Sequence, residues 1–282
     1  MFLILAHHGD QLAQRVYELL CNRHGAQSTR LLTSDDLAIT TRWALHQEES
    51  QVRTEMRWLD GRLNSDSIRA VFNRLRFVTM PQFIEADVID REYAVMEMHA
   101  FLLSWLSSLE CVVVNRPNPR NLSGALRGPA EWLLLAGRAG LTSRGLRFTS
   151  SARRFPRHEY EALVPIDGAG LIGETGLTPT PKSILGNAPV HFLEPVSSER
   201  SRILVVSDKT YGADVPEPLR RGCVDLAREA GASLVEFTFA KKTVQDEWVF
   251  CSADLFPPDL ERNEVEALVR LLETETRRSA RN

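Results

Sequence analysis

An excess of positive charge is missing. Lys and Arg number 34 against 37 Asp and Glu, and the formal net charge of −3 removes the electrostatic footprint of a dedicated nucleic-acid binder. Clustered cysteines are missing too. Cys21, Cys111, Cys223 and Cys251 are scattered with no Cys-x-x-Cys spacing, which excludes a zinc knuckle and a disulfide framework and predicts buried thiols. The longest apolar runs, Phe2–Ala6, Cys111–Val114 and Trp132–Ala136, fall far short of the roughly 20 residues that a membrane span needs. Met1 leads into a strand pattern with no basic n-region, so a cytoplasmic chain with no membrane partner is expected. Internal repeats, a Gly-x-Ser-x-Gly elbow and a P-loop ending in Lys-Ser/Thr are also absent, which sets aside nucleophilic hydrolysis and P-loop chemistry.

What is present is a globular composition. Over 282 residues, 43% are apolar and 25% charged, enough for a sizeable core in one or two domains. Phe2–Ala6 suits a strand buried on both faces. Leu12, Val16, Leu19 and Leu20 repeat at helical spacing between Asp10 and Arg23, with Gly25 as C-cap. Ser28–Leu32 reads as a second strand, and Val52–Trp58 with Arg62-Leu63 as a hairpin closed by Asp60-Gly61. Ala70–Leu75 and Cys111–Asn115 read as further strands. Between them, Tyr93, Met96, Ala100, Leu103 and Leu106 mark a helix over Ile89–Leu109.

A helix over Arg127–Arg138, ended by Gly140, hands over to a different regime. Residues 150–190 are rich in Gly and Pro and read as hairpins and loops. Strands follow at Val190–Glu194, Arg202–Asp208, Leu234–Ala240 and Glu247–Ser252, with helices at Pro218–Ala230 and Asn263–Glu275, an antiparallel α+β pattern.

Two motifs invite chemistry. His7-His8-Gly9-Asp10 stands at the tip of the first strand, where α/β proteins place ligands. None of His24, His46, His99, His158 or His191 supplies the distant His-x-x-His pair that a zinc site of that kind needs, so Asp10 as a helix N-cap is the better account and no metal is expected. The loop Asp167–Gly173, with Gly168 and Gly170, could cradle phosphate through backbone N–H groups, but a plain hairpin turn explains it as well.

The order of segments resembles the microviridin-type graspetide ligases of the ATP-grasp superfamily. Leu3-Ile4-Leu5-Ala6-His7 with Asp10, Ala70–Arg74, the helix around Glu92–Leu109 and Val113-Val114-Asn115-Arg116-Pro117 resemble that family's amino-terminal domain. Pro189–Glu194 resembles its hinge strand beside the adenine, Arg202–Asp208 its following strand, and Trp248–Asp254 its metal-ligand strand. The resemblance implies an α/β chain in which a pre-ATP-grasp, Rossmann-like domain over residues 1–122 precedes a truncated α+β ATP-grasp-like domain over 123–282.

Departures from the family pattern bear on chemistry. Activation of a carboxylate as an acyl phosphate requires lysines on the phosphates and acidic or Asn ligands on Mg²⁺. The family's lysine positions fall on Arg127-Gly128-Pro129 and Val164-Pro165, its Glu-x-Asn on Ser252 and Asp254, and its earlier acidic ligand near Glu236 or Thr238. The stretch between Thr149 and Val190 reads as shortened. The resemblance therefore implies a vestigial nucleotide site at Val164, Gly168, Gly170, Glu194, Glu236, Ser252 and Asp254, with no catalytic residue and no cofactor. The implied function is non-catalytic: binding of the precursor (leader) peptide of a ribosomally synthesised, post-translationally modified peptide and its presentation to pathway enzymes, as in crocagin-type biosynthesis. Glu194, Arg202 and Trp248 are the expected peptide contacts, and a homodimer is expected. The competing expectation is an ATP-dependent carboxylate ligase acting on a peptide, with Arg127 or Lys182 replacing a lost lysine and Glu236 and Asp254 holding Mg²⁺.

Overall fold

The structure is a computed structural model that describes residues 1–40, 42–48, 51–58, 61–78, 80–149, 164–166, 190–193, 196–212, 214–242 and 247–274. The chain divides into two compact units. The first comprises Met1–Leu126, Gly231–Leu234 and the chain from Leu255 on; the second comprises Arg127–Ala230 and Val235–Asp254. This departs from a contiguous division after residue 122. The helix Arg262–Thr274, expected in the second domain, packs on the first helix of the chain and so belongs to the first unit.

The first unit is built on β1 (Phe2–Ala6), all five residues of which are buried, as an unbroken apolar run requires in a parallel sheet covered on both faces. Helix α1 (Gln11–His24) follows, N-capped by Asp10, whose carboxylate accepts from the Ala13 amide at 3.0 Å, and closed by Gly25 at φ 81°. Next come β2 (Thr29–Thr33) and α2 (Ser34–Ala38), a short helix opened by a capping box between Thr33 and Asp36. An antiparallel meander of β3 (Arg42–Glu48), β4 (Gln51–Trp58) and β5 (Gly61–Asn64) precedes β6 (Ala70–Asn73). Helix α3 (Val88–Ser108) then leads to β7 (Val112–Val114). The parallel sheet has the order β2-β1-β6-β7. From β1 the chain first goes to one side, to β2, and then to the other, to β6, so the topological switch point lies between β1 and β6.

Only the second half of α3 faces the core. Leu102, Trp105 and Leu106 are buried, and Trp43 of β3 meets Phe101 edge-on at 4.8 Å between ring centroids. The periodicity that marks the helix continues towards its N-terminus, but there Ile89, Tyr93 and Met96 are 80%, 60% and 63% exposed. Beyond β7, Asn115 is a buried polar hub. Its Oδ1 accepts from the amides of Ser233 and Leu234, both at 2.9 Å, and its Nδ2 donates to the Leu234 carbonyl at 2.8 Å, which holds the returning segment Gly231–Leu234. Asn73 Nδ2 donates to the Leu122 carbonyl at 2.7 Å, and Ser123 Oγ donates to the carbonyl of Asn73.

The second unit opens with α4 (Pro129–Arg138), with Pro at N1, where its missing N–H costs nothing. A small antiparallel sheet of β8 (Leu146–Thr149), β9 (Val164–Ile166) and β10 (Val190–Leu193) has the order β8-β10-β9. The main sheet contains β11 (Arg200–Val206), β12 (Lys209–Gly212), β13 (Leu234–Lys241) and β14 (Trp248–Asp254) in the order β12-β11-β13-β14, with α5 (Glu217–Ala230) between β12 and β13 in the chain. The pairs β11/β12 and β13/β14 are antiparallel, as the second half predicts. Gly212, at φ 100°, lies so close to the Arg202 carbonyl that a Cβ would stand 2.5 Å from its oxygen; only glycine meets both demands.

Burial accounts for the cysteines. Cys223 and Cys251 are buried, Cys21 and Cys111 half-buried, and none of the four forms a disulfide. Loss of hydration pushes the Cys111 thiol up to about 11 and the Cys223 thiol to about 12, so neither is a thiolate at neutral pH. Among the described residues no helix is long and apolar enough to cross a membrane.

Candidate functional site

The polar face of the main sheet in the second unit gathers several of the residues singled out from the sequence. Glu236 of β13 and Asp254 of β14 are direct partners across the antiparallel ladder, as are Thr238 and Ser252 two residues along, so all four share one face. A β-bulge makes this face possible. The register shifts between Thr238 and Phe239, with Cys251 as the extra residue of β14, so that Ser252 stands opposite Thr238 while Phe250 stands opposite Phe239. Phe250 thereby turns inward, with its ring 5.9 Å from that of Phe237 and 5.8 Å from that of Phe239, and Trp132 closes the cluster at 6.1 Å from Phe237.

On that face Arg202 of β11 donates from Nε to Glu236 Oε2 at 2.5 Å. A guanidinium thus occupies one oxygen of the carboxylate that the family pattern would give to a cation. Two carboxylates, two hydroxyls and this cation are a poor set for a pair of Mg²⁺ ions, because Arg202 both consumes a ligand oxygen and repels a divalent charge. Among the described residues no group of three or more His, Cys, Asp or Glu side chains is placed to hold a metal ion. The described residues therefore do not fit the metal set of a carboxylate ligase, and no chemical step is derived through it.

Other singled-out residues lie elsewhere. Trp248 is partnered with Lys241, whose ammonium sits 5.3 Å from the centre of its ring, at the opposite end of the β13/β14 ladder from Glu236 and Asp254. Six strand steps separate Trp248 from Asp254, about 20 Å, so Trp248 and Arg202 do not share one contact point. Val164 lies on β9 opposite Leu193. Glu194, Gly168, Gly170 and Lys182 lie outside the described residues. Arg127 donates from Nη2 to the Ala230 carbonyl at 3.4 Å and lies 3.7 Å from Glu131, so it is engaged within its own unit rather than poised as a substitute lysine.

The first unit carries a second polar group, at the carboxyl ends of β1 and β6. Asp10 caps α1 with one oxygen, and its other oxygen, Oδ2, accepts from Arg74 Nε at 2.6 Å. His7 Nε2 accepts from the Arg76 amide at 3.0 Å, and the His7 ring is stacked on Phe77 with 4.2 Å between centroids. Burial, then Arg76 and, more weakly, Arg74 lower the His7 pKa below its ordinary 6.5, while Asp10 and Asp35 oppose them. Because the unfolded chain then takes up this proton more readily than the folded one, stability falls as pH drops from about 7 to about 5. His7→Gln should flatten that dependence, as read from urea midpoints at the two pH values; an unchanged slope would remove His7 from the account.

No protein-family model matches the sequence, and neither does any curated protein. Solved structures do. An ATP-grasp ligase of Chryseobacterium gregarium associated with ribosomally synthesised, modified peptides (RiPPs), in complex with ADP and a leader and core peptide, superposes with a TM-score of 0.77 at 14% identity, over 97% of this chain and 96% of that one. The chain has the fold of an ATP-grasp ligase. Macrocyclase MdnC of Microcystis aeruginosa, bound to precursor peptide MdnA, gives 0.76 at 13% identity over 97% and 100% of the two chains, and ligase PsnB with a minimal precursor gives 0.72 at 14% over 98% of each. Identities this low carry the fold and no more. The coverage corrects one expectation: the ATP-grasp-like domain is not truncated relative to these three chains.

Proposed function

We propose that this protein binds the precursor peptide of a ribosomally synthesised, post-translationally modified natural product and presents it to modifying enzymes without itself activating a carboxylate. The observation that carries the reading is a contrast. The fold matches end to end ligases solved with precursor peptides bound, while the strand face that would hold Mg²⁺ carries the Arg202–Glu236 ion pair instead. A scaffold that keeps its shape and loses its charge-neutralising ligands retains surface for recognition but lacks the electrostatics that stabilise phosphoryl transfer.

The test is a reaction with Mg-ATP and, in turn, each short peptide that the open reading frames flanking this gene are found to encode. The expected outcome is no phosphate release above background and no loss of water from the peptide by mass spectrometry. Phosphate release or peptide dehydration that disappears with Asp254→Ala would establish the alternative, an ATP-dependent ligase that uses Glu236 and Asp254.

A further inference from the structure

Two loops of the first unit are stitched together at the switch point of its parallel sheet, apart from the polar face of the second unit. The Arg74 amide donates to the Leu5 carbonyl at 2.7 Å, the Arg76 amide to His7 Nε2 and Arg74 Nε to Asp10. The chain after β6 is thereby fixed against the chain after β1. Open α/β sheets bind ligands in the crevice outside the carboxyl ends of the strands at such a point.

The cations there are under-used. The Arg74 side chain is 7% exposed and bonds Asp10 through Nε alone, and its Nη1 is buried with no hydrogen-bond partner. A buried guanidinium that bonds one carboxylate through a single nitrogen is a fixed cation behind the loop that carries Arg76. Arg76 is exposed, lies 4.3 Å from the centre of the Phe256 ring, and makes no side-chain hydrogen bond or ion pair with any described residue. Arg74 stands by the N-terminus of α1 through its bond to Asp10, and the positive charge of Arg76 is close enough to the preceding His7 to lower its pKa; at that terminus the amides of Gln11 and Leu12 have no intrahelical acceptor and the helix dipole favours negative charge. Beside them Phe77, 55% exposed on its His7 platform, offers an apolar face that a small inorganic anion would not need.

We propose that the carboxyl ends of β1 and β6 form a subsite for an acidic residue of a peptide, with Arg76 and the α1 N-terminus receiving the carboxylate, Arg74 as the positioning residue behind them, and Phe77 packing an adjoining apolar side chain. The proposal rests on the peptide-binding reading and adds to it the chemistry of one contact, in the first unit rather than at Glu194, Arg202 or Trp248.

The test uses acetylated phenylalanyl-glutamate amide, its glutamine counterpart and inorganic phosphate, titrated separately into the full-length protein while the His7 ring and Gly9 amide resonances are followed by NMR. The glutamate dipeptide should shift both, the glutamine form should bind at least about tenfold more weakly, and Arg76→Gln should weaken the glutamate dipeptide by a similar factor. Phe77→Ala should weaken the dipeptide but not phosphate. No shift with the glutamate dipeptide, equal shifts from the glutamine form, or full-strength binding by Arg76→Gln would overturn the subsite. Phosphate binding as tightly as the dipeptide, with Phe77→Ala silent, would overturn its assignment to a peptide. A precursor peptide that binds the intact protein but gives these negative results leaves the wider function standing and refutes this contact alone.

Discussion

Asn115→Ala lowers the stability of the protein by about 3 kcal/mol or more, because truncation leaves the amides of Ser233 and Leu234 and the carbonyl of Leu234 without partners in a site where Leu234 is 1% exposed. The loss should appear as a lower urea midpoint with an unchanged m-value. Asn115→Asp is the informative companion. A carboxylate can still accept from both amides but cannot donate to the carbonyl, and it buries a charge, so it does not rescue stability. A midpoint for Asn115→Ala within about 0.5 kcal/mol of wild type would mean that water replaces the side chain and that Asn115 does not hold the returning segment.

Trp105→Ala should cost about 3–5 kcal/mol, the range for emptying a fully buried aromatic site. Trp105→Phe should cost far less, and the reason is specific. The indole Nε1 of Trp105 is buried with no hydrogen-bond partner, so phenylalanine removes an unsatisfied donor along with part of the ring. The two effects oppose each other and keep the change below about 1.5 kcal/mol. Chemical denaturation of the two variants checks this; a Phe variant as unstable as the Ala variant would show that the indole shape, not apolar volume, is what the core of α3, β3 and the sheet requires.

Elements whose signal is local were legible in the sequence. Phe2–Ala6 announces a doubly buried strand because nothing polar interrupts it, and Asp10 and Gly25 bracket α1 because one side chain caps an amide and one residue tolerates positive φ. Helix α3 was legible as a helix but not in its surroundings. A 3.6-residue period says which residues share a face and not whether that face is covered, and Ile89, Tyr93 and Met96 are not buried. The strand Arg42–Glu48 and the short helix Ser34–Ala38 escaped notice: β3 has no clean alternation, and α2 is little more than one turn whose main signal is the box formed by Thr33 and Asp36.

The candidate site was legible as a set of positions but not as chemistry. Sequence order brought Arg202, Glu236, Ser252 and Asp254 together, yet the ion pair that decides what Glu236 can bind joins residues 34 apart, and the bulge at Cys251 that sorts Phe250 inward from Ser252 outward is a property of pairing. The same holds for Arg74 and Asp10, 64 residues apart, whose contact exists only because β1 and β6 are neighbours. The return of the chain from Leu255 to the first unit, which moved the domain boundary, likewise has no marker in composition.

Calorimetric titration of the intact protein with each short peptide that the open reading frames flanking its gene are found to encode, with and without Mg-ATP, tests the central claim most directly. The account predicts a micromolar dissociation constant, about 8 kcal/mol of binding free energy, that is the same in both conditions, because recognition does not pass through the nucleotide site. Absence of binding heat, or binding that appears only with Mg-ATP, would contradict it.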